Sequence, residues 1–413
     1  MLEEQYMRRA IRLAGLGLGQ TNPNPMVGAV IVKNGRVIGE GYHRRRGGPH
    51  AERNALASCT EDPAGAVMYV TLEPCCHQGR TPPCTDAILE NGIAHVVIGS
   101  RDPNPKAAGG AELLRRNGIT VTEHFLQDEC DAVNVVFFHY VTTGRPYVAM
   151  KYAMTADGKI ASRTGASKWI TGREAREHVH ELRRQYTGIL AGIGTVLADD
   201  PLLNCRVERQ RSRLEDHPLH CGTEKQTAGS EKQTAGSENR PLNCLAEEES
   251  SGLEDRLSEP PRQPVRIICD SCLRILTDSR ICRTAGQYRT VIAYTHGTRE
   301  KRSALEALGI TLLELPEENG HVSLPSLMDA LGRMEIDSIL LEGGGTLNEA
   351  MLRAGLVQRV YAYIAPLLLG GRDAKTPVEG IGFPTPGDGI RLSSPAVSSV
   401  GGDLLLEFIL SAT

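Results

Sequence analysis

Short β-branched runs alternate with helix-like stretches along this 413-residue chain, and that alternation restricts its fold more than any other feature. The run "VGAVIVKNGRVIGEG", from Val27 to Gly41, predicts a β-hairpin because two β-branched segments flank an Asn34-Gly35 turn. Helix-like "HAERNALASC" and "CTDAILENGI" then alternate with strand-like "AVMYVTLEP" and "HVVIGSRDPNP". Such alternation predicts an α/β layer sandwich.

A second pattern of strands and helices starts at "YVAMKYAMTADGKIA", after a segment (Val141–Val148) in which a glycine and a proline separate two well-patterned regions. It continues with helix-like "REAREHVHELRRQY", strand-like "TGILAGIGTVLAD" and the strand, glycine turn and helix of "SILLEGGGTLNEA". A chain of this length exceeds one ordinary hydrophobic core. We therefore predict two domains, residues 1–145 and 146–413.

The stretch from Val207 to Arg262 differs from both patterns because it is polar and contains "EKQTAGS" twice in tandem. A seven-residue repeat would suit a coiled coil, but this one has no large apolar residue to form the seam. We predict a disordered insertion in a surface loop.

Composition limits the possible partners. The net charge of -4 gives no general attraction to nucleic acid or to an anionic membrane, and the chain has no apolar run long enough to span one. Eleven cysteines without a secretion signal favour reduced thiols and a cytoplasmic location. The oligomeric state stays open, with a homo-oligomer among the possibilities.

The stretch "TLEPCCHQGRTPPC" places three cysteines close to the upstream "GPHAE" in a way that predicts a metal site. Catalytic zinc usually has three protein ligands of Cys or His type. His50 and Cys84 each stand at the predicted start of a helix, and Cys75 follows a strand, so the three can converge. Cys76 adjoins Cys75, and two neighbouring side chains seldom both reach one ion, so we expect it to pack elsewhere.

Glu52 favours a catalytic over a structural zinc site, since a structural site normally has four protein ligands and no carboxylate to move protons. His-x-Glu followed by Pro-Cys-x-x-Cys is the pattern of zinc deaminases, but here eight residues separate Cys75 from Cys84. A nucleic-acid (tRNA-type) deaminase shares this metal chemistry; the net charge and the long spacing oppose it.

With this spacing, "HAE" and "TLEPCCHQGRTPPCT" resemble the bacterial bifunctional deaminase–reductase family of riboflavin biosynthesis. The resemblance extends over "TNPNPMVGAVIV", "GGPHAE" and "SRDPNP", and over "KYAMTADGKIA", "ASKWITG", "GTVLADDPLLNCR" and "LLEGGGTLNEAML". It fails only across 207–262. It implies a cytidine-deaminase-like α/β/α sandwich followed by a dihydrofolate-reductase-like α/β domain.

The resemblance also implies an activity. Zinc, one per chain, would be held by His50, Cys75 and Cys84, and Glu52 would move protons during hydrolytic deamination of 2,5-diamino-6-(5-phosphoribosylamino)pyrimidin-4-one. NADPH would then reduce the ribosyl group to ribityl. The partner is thus a small phosphorylated pyrimidine. The substrate-binding residues implied in this half are Asn24, His43, His77 and Arg80. The run Arg44–Arg46 could neutralise a phosphate, although such runs are usually just solvated.

For the second half, "EGGGTLNEA" predicts a phosphate-binding turn, because glycine allows close approach and the following helix offers N–H donors. It is not Gly-x-Gly-x-x-Gly, so a Rossmann fold is a poor match. The cofactor residues implied by the resemblance are Ala153, Trp169, Thr195, Asp199, Ser271, Gly344, Gly345, Thr346, Leu347, Asn348, Glu349 and Ala350. The implied substrate residues are Ser167, Arg183, Leu203, Arg206 and Glu342. Lys151 and Asp199 would assist hydride transfer. For Trp169, the alternative is a core aromatic.

Overall fold

The computed structural model describes residues 2–78, 82–206 and 262–410. Residues 207–261 of the expected insertion therefore lie outside the described residues, as does Arg80. None of the described helices is long and apolar enough to cross a membrane. The nine described cysteines are all free thiols.

The first sheet has five strands in the order β2-β1-β3-β4-β5. They are β1 (Gly28–Lys33), β2 (Arg36–Tyr42), β3 (Val67–Leu72), β4 (His95–Ser100) and β5 (Thr120–Thr122). The expected hairpin is confirmed: β1 and β2 pair antiparallel, and Asn34 and Gly35 both have positive φ, 51° and 75°. A two-residue turn of this kind needs the left-handed conformation at both positions, which Asn and Gly tolerate best.

Six helices surround this sheet: α1 (Glu4–Gly15), α2 (Ala51–Ala57), α3 (Cys84–Glu90), α4 (Gly110–Arg116), α5 (Gln127–Val133) and α6 (Val135–Thr143). Side chains of β1 alternate between two cores. Ala29 and Ile31 pack with residues of α2, α3, α4 and α6, whereas Val30 and Val32 pack with α1 and α5. Helices thus cover both faces of the sheet, and the predicted α/β/α sandwich is confirmed.

The second sheet has nine strands in the order β10-β9-β8-β7-β13-β6-β14-β16-β15. They are β6 (Tyr147–Thr155), β7 (Gly188–Gly192), β8 (Val265–Cys269), β9 (Thr290–Tyr294), β10 (Thr311–Glu314), β13 (Ser338–Leu341), β14 (Arg359–Ala365), β15 (Ala396–Val400) and β16 (Asp403–Ile409). Neighbours from β10 to β14 run parallel, and β16 and β15 close the edge antiparallel. A separate two-stranded ribbon consists of β11 (Glu317–Glu318) and β12 (His321–Val322).

The helices of this half are α7 (Arg173–Gln185), α8 (Ile193–Asp199), α9 (Arg280–Arg283), α10 (Arg299–Ala307), α11 (Leu324–Arg333) and α12 (Gly345–Arg353). The strand-like interpretation of all of "TGILAGIGTVLAD" is wrong, because only Gly188–Gly192 is a strand and the rest forms α8. Ile193 and Val196 are buried one helical turn apart in the same core cluster. Short apolar runs of this kind suit either element, and only packing decides.

Arg266 on β8 is completely buried and joins several segments of the second domain. Its guanidinium donates to the carbonyl oxygens of Leu202 (3.3 Å) and Ile281 (2.9 Å), and to the hydroxyls of Thr284 (2.7 Å) and Thr290 (2.6 Å).

We expect Arg266→Ala to lower the free energy of unfolding by about 3 kcal/mol, since it leaves buried acceptors unpaired and a cavity behind. Urea unfolding followed by circular dichroism measures this. Arg289→Ala, at an exposed position next to β9, is the matched control and should change the unfolding free energy little. Equal unfolding curves for the two variants would contradict this role for Arg266.

Candidate active sites

Three potential metal ligands converge at the edge of the first sheet. His50 precedes α2, Cys84 is the first residue of α3, and Cys75 lies in the loop after β3. His50 Nδ1 lies 3.5 Å from Cys75 Sγ and 3.4 Å from Cys84 Sγ, and the three donor atoms all lie within 4.8 Å of one another. Among the described residues, this is the only such group of His, Cys, Asp or Glu side chains. One imidazole and two thiols at this separation fit tetrahedral zinc with one open position.

Hydrogen bonds that involve the backbone around Cys84 hold Cys75 and Cys84 in place. The N–H of Cys84 donates to Cys75 Sγ (3.4 Å), and Arg53 on α2 donates to the carbonyl oxygens of Pro82 (3.2 Å) and Pro83 (2.8 Å). The pKa of Cys75 is lowered to about 4, because the Cys84 thiol donates a hydrogen bond to it, which outweighs the effect of burial. Cys75 is therefore ready to bind a cation as a thiolate.

Cys76 points away from this group. Its thiol lies 3.2 Å from the carbonyl oxygen of Ala108 and 3.7 Å from that of Ala107. Burial raises the pKa of this thiol. The Cys76 side chain therefore packs against the loop before α4. Of the two adjacent cysteines, only Cys75 faces His50.

Glu52 stands in the first turn of α2, buried beside the three donors. Burial raises the pKa of its carboxyl, while the nearby His50 imidazole acts in the opposite direction. The carboxyl also hydrogen-bonds to the thiol of Cys84. A raised pKa makes the carboxylate a stronger base, which favours the uptake of a proton that a general acid–base group needs.

The group opens into a cavity of about 420 Å³, which is within the usual range for a small-molecule site. Asn24 and His43 are joined in its wall, with Asn24 Nδ2 3.2 Å from His43 Nε2. His43 Nδ1 lies 3.0 Å from the carbonyl oxygen of Pro49, so Nδ1 carries the proton and Nε2 accepts from the amide. Burial lowers the pKa of His43, which favours this neutral form. His77 and Arg46 also line the cavity.

Sequence reasoning missed three polar residues of the same wall: Glu73, Asp102 and Asn104. Glu73 accepts hydrogen bonds from the N–H groups of Gly109 (3.1 Å) and Ala111 (3.0 Å), and so fixes the loop before α4. Burial raises the pKa of Asp102 to about 6. These residues lie in the motifs "TLEP" and "SRDPNP". An acidic residue before a proline is common in loops, and nothing in the sequence indicates that these side chains face a cavity.

A second polar group joins the middle of β6 to the carboxyl end of β13. Arg183 on α7 binds Glu342 through two hydrogen bonds of 2.6 and 2.9 Å, and Lys151 Nζ lies 3.8 Å from the same carboxylate. Burial alone would raise the pKa of Glu342, but the charges of Arg183 and Lys151 lower it to about 2. Burial lowers the pKa of Lys151. Three of the expected reductase residues are thus brought together.

Four other expected reductase residues, Ser167, Asp199, Leu203 and Arg206, have side chains with different surroundings. Ser167 donates to Asp199 Oδ1 at 3.2 Å, so the structure brings these two together. Leu203 is only 4% exposed and packs in a core cluster, so its side chain is not free to face a substrate. The N–H of Arg206 donates to His180 Nδ1 at 3.2 Å.

The glycine turn after β13 offers space at one position. A Cβ added to Gly344 would meet only the hydroxyl of Thr195, at 3.6 Å. A Cβ on Gly345 would collide with Glu379, and the carbonyl oxygen of Thr376 would lie 2.7 Å away. Gly344 therefore faces an open space beside Thr195 at the start of α12, as a phosphate-binding turn requires.

Along α12 the other expected cofactor residues have different surroundings. Asn348 is fully buried and donates to the carbonyl oxygen of Pro377 at 2.9 Å, and Glu349 accepts from Arg353 at 2.7 Å. Thr346 is exposed, whereas Leu347, Asn348, Glu349 and Ala350 are at least partly buried. The first turn of α12, and not its whole length, is therefore free to meet a ligand.

Trp169 is 67% exposed, with the guanidinium of Arg176 4.5 Å from its ring centre. The alternative of a core aromatic is therefore wrong for this residue. Ala153 is half-buried on β6, opposite Tyr363 of β14. Ser271 is held by the N–H of Val322, which donates to its hydroxyl at 3.1 Å.

Two protein-family models match the chain. The RibD C-terminal domain matches residues 146–406, and the zinc-binding region of cytidine and deoxycytidylate deaminases matches residues 1–100. The second match covers the strands and helices that bring His50, Cys75 and Cys84 together.

Similar proteins cover nearly the whole chain. The riboflavin biosynthesis protein RibD of Actinobacillus pleuropneumoniae is 47% identical over 99% of this chain and 96% of its own length. RibD of Escherichia coli is 38% identical, over 99% and 100%. The structure of Acinetobacter baumannii RibD matches with a TM-score of 0.78 and 33% identity, covering 99% of this chain and 98% of that one.

The structure of the Thermotoga maritima diaminohydroxyphosphoribosylaminopyrimidine deaminase/5-amino-6-(5-phosphoribosylamino)uracil reductase matches with a TM-score of 0.74. It is 34% identical and covers 99% of this chain and 98% of that one. The deaminase half and the reductase half expected from the sequence therefore occur in one chain, in the expected order. This chain belongs to the RibD family of riboflavin biosynthesis proteins, bifunctional enzymes that join a deaminase to a reductase.

Proposed function

We propose that residues 1–145 deaminate 2,5-diamino-6-(5-phosphoribosylamino)pyrimidin-4-one and that residues 146–413 then reduce its ribosyl group to ribityl with NADPH. One observation carries the first half of this proposal. A buried carboxyl, Glu52, stands beside a His-Cys-Cys donor set at the wall of a cavity of about 420 Å³. The name of the Thermotoga maritima protein supports the choice of substrate.

The donor set fits one zinc ion per chain. His50, Cys75 and Cys84 would hold it, and the lowered pKa of Cys75 supports binding as a thiolate. Zinc, when bound there, supplies a water that ionises near neutral pH. Glu52 would carry the two protons of that water in turn, the first to a ring nitrogen and the second to the amino group that departs as ammonia, while the oxygen stays on the ring carbon.

Other residues of the first cavity would orient the pyrimidine. Asn24 and His43 are joined by a hydrogen bond of 3.2 Å, so neither side chain is free to rotate away from the ring. His77 and Arg80 would complete the substrate contacts. Burial lowers the pKa of His43, which makes its imidazole a weaker base and reduces its competition with Glu52 for the proton.

In the second half, Gly344 and Thr195 would receive the phosphates of NADPH, which supplies the hydride when bound. Ala153, Trp169, Ser271 and the first turn of α12, with its exposed Thr346, would line the same site. Arg183, Arg206 and Glu342 would bind the phosphorylated substrate, with Ser167 beside it. Leu203 would contribute only through its backbone, because its side chain is buried in the core. Lys151 has a lowered pKa and lies next to Glu342, so it can release a proton as the ribosyl group is reduced. Asp199 would assist through its hydrogen bond with Ser167.

We expect Cys75→Ser to remove nearly all zinc from the purified protein, whereas Cys76→Ser retains about one equivalent, because the Cys76 thiol faces the Ala107 and Ala108 carbonyls. Elemental analysis of the two proteins checks this. The variants are a matched pair, since they make the same change at adjacent positions. Loss of zinc from Cys76→Ser would show that the ligand set is wrong.

A comparison of substrates tests the proposed function against the alternative of a nucleic-acid deaminase. We expect ammonia release from the small phosphorylated pyrimidine and none from tRNA or single-stranded DNA. Activity on the small substrate should change little between low and moderate salt, unlike binding to nucleic acid, which weakens steeply with salt. Salt-sensitive deamination of tRNA would overturn the proposal.

A further inference from the structure

The turn between α11 and β13, in the reductase half, contacts the loop that forms one wall of the deaminase cavity. The segment 332–337, which includes the last two residues of α11 and is called the reductase turn, meets the segment 20–25, called the cavity loop. Pro23, Asn24 and Pro25 of the cavity loop line the cavity. Asn22 Nδ2 donates to Asp337 Oδ2 at 2.6 Å. The deaminase cavity therefore has a support that lies outside its own domain.

Asp337 is well suited to hold that loop, since it is only 1% exposed and rigidly fixed. Its other oxygen, Oδ1, accepts from the hydroxyls of Thr187 and of Ser338 (3.0 Å), and its own carbonyl oxygen accepts from the N–H of Tyr147 at 2.8 Å. Oδ2 is left for Asn22. A buried carboxylate oxygen needs a donor, so this contact ties Asn22 to the second sheet.

The position of Asn22 determines where the residues that face the substrate lie. The N–H of Asn24 donates to the carbonyl oxygen of Thr21 at 2.9 Å, so Asn22 and Asn24 belong to one closed turn. Asn24 then meets His43, whose ring contacts the carbonyl oxygen of Pro49. A shift of Asn22 would therefore move the amide that faces the pyrimidine.

A second contact, between Arg46 and Glu335 at 2.9 Å, joins the other rim of the cavity to the reductase turn. Both side chains are substantially exposed, at 38% and 59%, and exposed ion pairs contribute little. Tyr140, which lines the cavity, also donates to the carbonyl oxygen of Gly332 at 3.0 Å. Of these contacts, the one between the partly buried Asn22 and the buried Asp337 has the shortest hydrogen bond, at 2.6 Å.

We propose that Asp337 of the reductase half is a positioning residue for the deaminase: through Asn22 it holds the cavity loop so that Asn24 faces the substrate. This inference rests on the proposed deaminase function. It makes the deaminase site dependent on the reductase half, although the metal ligands and Glu52 all lie before residue 85.

A charge swap tests this in the full-length enzyme. Asn22→Asp sets two carboxylates against each other, whereas Asp337→Asn keeps the contact, because the Asn22 amide can turn over and accept from the new NH₂. In the double variant, the amide introduced at position 337 can still accept from Thr187 and Ser338 through its oxygen, while its NH₂ donates to the carboxylate introduced at position 22. Asn34→Asp, in the exposed turn of the hairpin, is the matched control for the Asn-to-Asp change.

We expect Asn22→Asp to raise the KM of deamination about tenfold with kcat lowered at most about threefold, Asp337→Asn to stay within about threefold of wild type, and the double variant to restore KM to within about threefold of wild type. Zinc content, reduction of the deaminated intermediate and the Asn34→Asp enzyme should stay within about twofold of wild type. Unchanged KM in Asn22→Asp, or a double variant as poor as Asn22→Asp, would overturn the proposal. If wild type itself released no ammonia, the proposed function would fail instead, and the reductase assay would show that the protein is folded.

Discussion

Glu52→Gln should lower the rate of ammonia release from the diaminopyrimidinone phosphate by about a thousandfold. The amide has nearly the same shape as the carboxyl but cannot take up a proton from water or pass one to the departing amine. Because Glu52 does not belong to the His-Cys-Cys donor set, zinc content should stay near one equivalent. Steady-state ammonia assays and elemental analysis of the same preparation measure both quantities.

The reductase activity of the same molecule is the control for this variant. Reduction of the deaminated intermediate with NADPH should remain within about twofold of wild type. Glu52 lies on α2 beside the first sheet, whereas Lys151, Glu342 and Arg183 belong to the second half of the chain. Near-normal ammonia release from a folded, zinc-containing Glu52→Gln enzyme would remove this residue from the mechanism.

Gly344→Trp should reduce NADPH oxidation at least about a hundredfold while deamination is preserved, because an indole would fill the space that the phosphates need. The backbone at Gly344 is extended, with φ -78° and ψ 170°, so a side chain introduces no strain there. Absorbance at 340 nm with the deaminated intermediate follows the reduction, and ammonia release follows the other activity.

Gly344→Ala separates loss of space from loss of glycine itself. A Cβ at this position meets only the Thr195 hydroxyl, at 3.6 Å, so the alanine enzyme should fold normally. Its KM for NADPH should rise less than that of the tryptophan variant. If tryptophan leaves NADPH oxidation intact, the phosphates do not bind at this turn.

Local patterns predicted the parts of this fold that depend on neighbouring residues. The Asn34-Gly35 hairpin followed from turn chemistry, and the approach of His50, Cys75 and Cys84 followed from two helix starts and a strand end. In each case the backbone conformation that matters spans only a few residues. The resemblance to a known family supplied the reductase residues, of which Lys151, Arg183 and Glu342 meet in one buried group.

Features that depend on packing between distant segments could not be predicted from local sequence patterns. Glu73 and Asp102 face the deaminase cavity only because the loops after β3 and β4 end at the same edge of the sheet. The helix α8 looked like part of a strand because both elements can bury Ile193 and Val196. The pairing of Asn22 with Asp337 joins residues 315 positions apart, and neither carries a motif of its own.

The central claim is that two separate sites in this chain act in sequence on one phosphorylated pyrimidine. The most direct measurement is a product analysis of the purified wild-type enzyme with that substrate, first without and then with NADPH. Without NADPH, we expect one ammonia per substrate and a deaminated product that keeps its ribosyl group. Adding NADPH should then oxidise one NADPH per ammonia already released and convert the product to its ribityl form. NADPH oxidation without ammonia release, or ammonia release that requires NADPH, would contradict the account.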